Sequence, residues 1–237
     1  MALTRDERDR FVAATPDDIS YGEGACLETP PSVFAHLHER FAFDIDLTAS
    51  EQNHLLPTWF GPGSIFTDAL TAPWRITAGH PGAGFSNPPY GPFIPKILKK
   101  AIEERAKGFT SVFLLPNRAG GWFQDYVIPA YSELWYCSER INFFYQGKPR
   151  LSARVKVTPK WKRDPRVKAV GTEVWTTEPM ELTYRVYEQD YTYQFEAEEP
   201  LMAPAGALFD SIIVVYRPSP LRQPVNVFEV KTGKLRY

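Results

Sequence analysis

Ala83-Gly84-Phe85-Ser86-Asn87-Pro88-Pro89-Tyr90, read together with the run that begins at Phe93, decides the fold. The first four residues suit a short strand, and the Asn-Pro-Pro segment can only be a turn. From Phe93 to residue 107 the apolar positions Phe93, Ile94, Ile97, Leu98, Ala101 and Ile102 recur at helical spacing, and Gly108 supplies a stop. Ser111-Val112-Phe113-Leu114-Leu115-Pro116 is a short, continuously apolar run of the kind buried in parallel sheets. Strand, turn, helix and strand in this order form a βαβ unit, so the chain reads as α/β.

The pattern extends in both directions. Thr29-Pro30-Pro31 reads as an N-cap with Pro at the first helical positions, opening a helix with Val33, Phe34, Leu37 and Phe41 on one face. Phe41-Ala42-Phe43-Asp44-Ile45-Asp46-Leu47 then alternates as a strand does, with Asp46 near its carboxyl end and Thr48-Ala49-Ser50 beyond, where an α/β sheet binds ligand. Residues 51–82 are turn-rich; within them 64–70 is expected to be a short strand carrying Asp68. Gly79, Gly82 and Gly84 do not read as a phosphate cradle, since no helix follows them directly. Downstream, the expected elements are a helix over 122–134, a strand over 140–144 and a last hydrophobic strand over 210–216. The sum is a mainly parallel sheet with helices on both faces.

One segment breaks the pattern. Residues 148–168 hold nine basic side chains, Lys156, Lys160, Lys162, Arg163 and Arg166 among them, against Asp164 alone; the following stretch to residue 201 is acidic and Tyr-rich. Alternation over 182–187 and 191–196 suggests two strands joined by a turn at 188–190. The expected organisation is a lead-in over 1–28, an α/β domain over 29–147 and 202–237, and a β-rich insertion over 148–201. The basic half of the insertion suits phosphate contacts, with Arg118 and Arg140 as further candidates. It equally suits a solvated face paired with the acidic half.

The Asn-Pro-Pro-Tyr turn also carries chemistry. An aromatic amino group is a poor nucleophile, because its lone pair is delocalised into the ring. The Asn87 side-chain carbonyl and the Pro88 backbone carbonyl can each accept one of its N–H groups and direct the lone pair at an electrophilic methyl. Pro89 stiffens the turn, and the Tyr90 ring can stack on a base rotated out of a duplex, a role that needs the ring and not the hydroxyl. A rigid turn with no chemistry is the plain alternative.

The remaining composition excludes several classes. In 237 residues there is no apolar run long enough to cross a membrane, and Met1-Ala2-Leu3-Thr4-Arg5-Asp6-Glu7-Arg8 has no secretory character, so an intracellular, cytoplasmic protein is expected. Cys26 and Cys137, with His36, His38, His54 and His80, form no metal-ligand spacing, so no metal is expected. The net charge of −1 does not favour a polyanionic partner, which leaves the distribution of charge to decide.

Taken in order, Thr29-Pro30, then Phe43-Asp44-Ile45-Asp46-Leu47-Thr48-Ala49-Ser50 with Asn53, Asp68 with Trp74, Phe85-Ser86-Asn87-Pro88-Pro89-Tyr90-Gly91, Leu114-Leu115-Pro116 and Arg140-Ile141-Asn142-Phe143 resemble the phage-type DNA N6-adenine methyltransferases. The resemblance covers about 29–147 and 203–218 and leaves the insertion out. It implies a class I, Rossmann-like methyltransferase fold, S-adenosylmethionine as cofactor and DNA as partner, with a monomer compatible. Asn87, Pro88, Pro89 and Tyr90 would then be catalytic. Asp46 would meet the methionine ammonium, Asp68 the cofactor's adenine or ribose, and Thr29, Pro30, Ala49 and Ser86 would complete the cofactor site. Where most methyltransferases carry a Gly-rich loop after the first strand, this chain has Asp46-Leu47-Thr48-Ala49-Ser50. The same turn serves methylation of RNA bases and of protein glutamine amides, and a catalytically silent DNA-binding fold would also retain much of the pattern.

Overall fold

The structure, a computed structural model, describes residues 27–76, 82–219 and 222–236. Cys26, Gly79, His80 and nearly all of the expected lead-in lie outside the described residues. The chain divides into two compact units, one reaching Ile141 and resuming at Leu208, the other Asn142–Ala207.

In the first unit, helix α1 (Pro31–Phe41) buries Val33, Phe34, Leu37 and Phe41, the face anticipated from their spacing. Its N-cap is Pro30 and not Thr29, and no side chain caps it; Pro31 loses nothing at the first helical position, where its missing N–H would have no partner. The helix consumes Phe41, and Ala42 closes it in a left-handed conformation with its N–H on the His38 carbonyl at 2.8 Å. The expected strand over 41–47 is therefore cut to β1 (Ile45–Asp46).

Six more strands complete the sheet: β2 (Ala83–Ser86), β3 (Thr110–Pro116), β4 (Glu133–Cys137), β5 (Ser211–Tyr216), β6 (Asn226–Phe228) and β7 (Leu235–Arg236), in the order β1-β2-β3-β5-β4-β6-β7. Five point the same way; β5 and β7 run against their neighbours, so the sheet is mixed but mainly parallel. Helix α2 (Phe93–Ala106) joins β2 to β3 and buries Ile94, Ile97, Leu98 and Ala101. Alternate residues of the strands serve opposite layers. Phe113, Leu115, Ile212 and Val214 share a core with α2, while Phe85 and Trp135 meet the rings of Phe34 and Phe41 from α1. A helix thus covers each face.

Three expected elements differ. Residues 64–70 form no strand beyond an isolated parallel bridge of Phe66 with Phe60, and Asp68 opens a turn in which its Oδ1 accepts the Leu70 N–H (2.9 Å) and its Oδ2 the Thr71 hydroxyl (2.8 Å). The turn is fastened to the core by Trp74, whose Nε1 donates to the Ala69 carbonyl (2.7 Å) and whose N–H donates to Glu104 of α2 (3.4 Å). The expected helix over 122–134 is a single π-helical turn, Phe123–Val127, because Pro129 cannot continue it, and its last residues belong to β4; of the strand expected over 140–144 only Phe144 is extended, opening the two-residue strand Phe144–Tyr145.

The second unit is built of short strands. Val167–Val170 pairs with Glu173–Thr176, and Met180–Val186 with Gln189–Phe195, around a small core of Val174, Met180, Phe195 and Leu201. The second hairpin turns at Tyr187 and Glu188, both at positive φ, one residue earlier than the anticipated 188–190.

Candidate active site

The site lies where β1 and β2 end. From β1 the chain first passes to one side, where Trp59 bridges Asp46 in parallel, and returns to the other side as β2. This makes the end of β1 the point at which the winding reverses, where the loops part and leave a crevice. Asp46, Thr48 and Ser50 follow one another there, all buried, and the Thr48 and Ser86 hydroxyls share a hydrogen bond of 2.7 Å that ties the two strand ends together.

A cleft at this point is lined by Leu27, Glu28, Thr29, Asp46, Thr48, Asn53, Leu55, Phe85 and Asn87. The Asp46 carboxylate accepts the N–H groups of Thr48 and Leu55, each at 3.3 Å. Burial nevertheless dominates and pushes its pKa up from 3.8 to about 6; the two N–H groups and nearby His54 oppose the shift. Thr29, freed from capping, has a buried hydroxyl with no hydrogen-bond partner among the described residues. Asn53 shapes the loop, its Oδ1 accepting the Ser50 N–H (2.7 Å) and hydroxyl (3.1 Å).

Asn87 leaves β2 directly into this cleft. Its Nδ2 donates to the Leu27 carbonyl at 2.8 Å, and its Oδ1 accepts the Tyr90 hydroxyl at 3.0 Å. The Leu27 carbonyl can only accept, so it fixes which end of the amide is nitrogen and holds the side-chain oxygen towards Tyr90. Burial pushes the Tyr90 phenol well above its ordinary value, so it stays a donor. The hydroxyl is therefore not idle, as a purely stacking ring would allow, but orients the Asn87 acceptor. The ring stands edge-on to Phe209, centroids 5.4 Å apart. Among the described residues, no donor reaches the Pro88 carbonyl.

Of the residues singled out for a cofactor, Thr29 and Asp46 line the cleft. Pro30, Ala49 and Ser86 are buried beside it without lining it. Asp68 is not among the lining residues, and both of its oxygens serve its own turn. Leu27, Glu28, Leu55 and Phe209 carried no local signal in the sequence: they reach the site only through the fold.

A model of the DNA N-6-adenine-methyltransferase (Dam) family matches residues 21–185, well over half of the chain. The chain belongs to that family. A search of curated proteins found no match. The Dam match includes α1, the cleft and the Asn-Pro-Pro-Tyr turn, and it continues through the basic stretch into the strand Met180–Val186. The family pattern thus reaches well into the segment that the residue-by-residue resemblance leaves out, and stops before 203–218.

Among the described residues, no helix is long and apolar enough to cross a membrane, and no three His, Cys, Asp or Glu side chains are placed to hold a metal ion. The basic candidates of the second unit separate by partner. Arg166 is held by Asp164 through two side-chain contacts (2.9 and 2.7 Å), Arg154 by Glu173 (2.6 Å), and Lys168 by Glu198. Lys156, Lys160, Lys162 and Arg163 are exposed and make no ion pair among the described residues, although Lys160 lies over the Trp161 ring at 5.2 Å. In the first unit Arg118 is exposed on the loop after β3, and Arg140 pairs with Asp210 at 3.2 Å.

Proposed function

We propose that the chain methylates N6 of adenine in DNA, using S-adenosylmethionine and a base rotated out of its duplex. The observation that carries this reading is the Asn87 amide, fixed by the Leu27 carbonyl and the Tyr90 hydroxyl at the end of β2, next to a cleft holding a buried carboxylate. An amide oxygen retains a second lone pair when one is engaged by Tyr90, so Asn87 can accept one N–H of the target amine and the Pro88 carbonyl the other. Both acceptors are held before the amine arrives, which is the condition for stabilising charge that develops on it.

The cleft residues fit the cofactor's amino-acid end. Asp46 offers a buried carboxylate to an ammonium, and the buried Thr29 hydroxyl, which has no partner among the described residues, offers a further polar contact. When bound there, S-adenosylmethionine supplies the electrophilic methyl. The winding reversal at β1, the parallel strands and the helix on each face support a class I, Rossmann-like assignment. The second unit would serve DNA binding through Lys156, Lys160, Lys162 and Arg163, which have charge left to give to phosphates.

The test is transfer of labelled methyl groups from S-adenosylmethionine to DNA, RNA or protein by the wild type and by Asn87→Ala. Labelled N6-methyladenine in DNA, lowered about a hundredfold or more by Asn87→Ala, is the expected result. Label in RNA or in glutamine would replace DNA as the acceptor, and no transfer at all would leave a silent fold.

A further inference from the structure

Among the described residues, two large apolar side chains stand almost wholly in solvent, Ile65 at 89 % and Leu208 at 83 %; Val225 follows at 46 %. A single exposed aliphatic residue is ordinary. Their positions are less so. Ile65 lies on the loop beyond the carboxyl end of β1, after the Trp59 bridge. Leu208 lies just before β5, whose Ser211 pairs with Pro116 at the carboxyl end of β3. Both are on the edge of the sheet that bears the Asn-Pro-Pro-Tyr turn, Ile65 on the side of the cofactor cleft and Leu208 on the side of Tyr90.

The segment that carries Leu208 is braced. Phe209 sets its ring against Tyr90 at 5.4 Å. The Asp210 carbonyl accepts the Asn117 N–H at 2.7 Å, and its carboxylate meets Arg140 at 3.2 Å. The residues that follow Leu208 are thus tied to the Asn-Pro-Pro-Tyr turn through the Phe209 ring and to the loop after β3 through the Asp210 carbonyl, while Leu208 itself is exposed. Arg118, on that same loop, is exposed.

Rotating a base out of a duplex leaves a gap between its neighbours, and the cost of unstacking is offset when an apolar side chain fills it. We propose that Leu208 is the wedge that enters the base stack at the position vacated by the target adenine. The proposal rests on the DNA-adenine reading. It commits Leu208 to duplex substrates, because a single strand has no stack to be held open.

The test compares the full chain with Leu208→Ala and Leu208→Met on a DNA fragment whose methylated adenine has been mapped, as duplex and as single strand. Leu208→Ala is expected to lower the duplex-to-single-strand rate ratio by about ten- to a hundredfold, the worth of burying a leucine side chain. It should also weaken the fluorescence rise of 2-aminopurine placed at the target position of the duplex. Leu208→Met, which keeps an apolar side chain of similar volume, should restore most of both. A wild-type rate ratio in Leu208→Ala would overturn the proposal, as would a wild type that methylates single strands alone. A wild type that methylates no DNA in either form would instead remove the underlying functional reading. Circular dichroism of each variant checks folding, which the exposure of Leu208 leaves out of play.

Discussion

Replacing Asp46 by Asn should stabilise the ligand-free protein while weakening its hold on S-adenosylmethionine. Burial raises the carboxyl from 3.8 to about 6 in the folded chain. Between those values the unfolded state has released the proton and the folded state still binds it, so stability falls as pH rises through this window and levels off above pH 6. The loss amounts to about 1 kcal/mol at about pH 4.5 and about 3 kcal/mol at about pH 7.5. The introduced side-chain amide would set its own N–H against one of the two backbone N–H groups that Asp46 now satisfies, at a cost independent of pH. The informative quantity is therefore the change with pH: relative to wild type, Asp46→Asn should gain about 2 kcal/mol between about pH 4.5 and 7.5. Urea unfolding at the two pH values measures it. Calorimetry at about pH 7.5 should show the cofactor bound about tenfold or more weakly by Asp46→Asn, for the loss of a charge-assisted hydrogen bond. In the wild type affinity should drop about tenfold per unit below about pH 6, as the ammonium must displace a proton. Parallel stability curves for the two proteins would refute the burial argument, and unchanged affinity would make Asp46 structural.

Asn87→Ala should reduce methyl transfer by about 10²–10³, by analogy with the loss of one preorganised hydrogen-bonding group, with cofactor binding by calorimetry intact; retained turnover would sink the role of the turn. Tyr90→Phe keeps the ring beside Phe209 but releases Asn87 Oδ1, so single-turnover rates should fall by about three- to tenfold without loss of DNA affinity, whereas Tyr90→Ala should impair both. Equal behaviour of the two Tyr90 variants would assign everything to the hydroxyl. Changing Lys156, Lys160, Lys162 and Arg163 together to Glu should weaken DNA binding across sequences and flatten its salt dependence, leaving cofactor affinity alone; an unchanged slope would exclude these residues from the phosphate contacts.

How much of the fold was legible depended on whether one period could explain each segment. Over 93–106 the spacing admits only a helix, and over 111–116 a short apolar run between Gly108 and Pro116 admits only a strand; both are observed. Residues 122–134 carry no such constraint. Phe123 and Val127 suit one helical turn, but Leu134 and Trp135 face opposite layers of the sheet, so the burial that organises them has period two and begins only after Pro129. The short β1 shows the converse: alternation over 41–47 was real, yet Phe41 was already committed to α1, whose tertiary packing on Phe43 and Trp135 outweighed local strand preference.

The site divides in the same way. Asn87 to Tyr90 could be read because acceptor, stiffener and ring are consecutive, and Asp46 because it ends a strand. The group that fixes the Asn87 amide is Leu27, sixty positions away in the chain, and a backbone carbonyl has no residue type by which to recognise it. Charge shows the limit most clearly. The basic run from 148 to 168 counts as one block in the sequence, but the folded unit brings Glu173 to Arg154 and Glu198 to Lys168, while Asp164 takes Arg166 locally. Both anticipated roles of the block are therefore compatible with the same segment: Arg154, Arg166 and Lys168 are spent on ion pairs within the unit, whereas Lys156, Lys160, Lys162 and Arg163 are exposed without one among the described residues. A phosphate backbone would be met by this remainder. The salt slope of DNA binding should accordingly report at most about six contacts from this unit and not nine, since a cation already neutralised by a carboxylate releases no counterion when it approaches a phosphate.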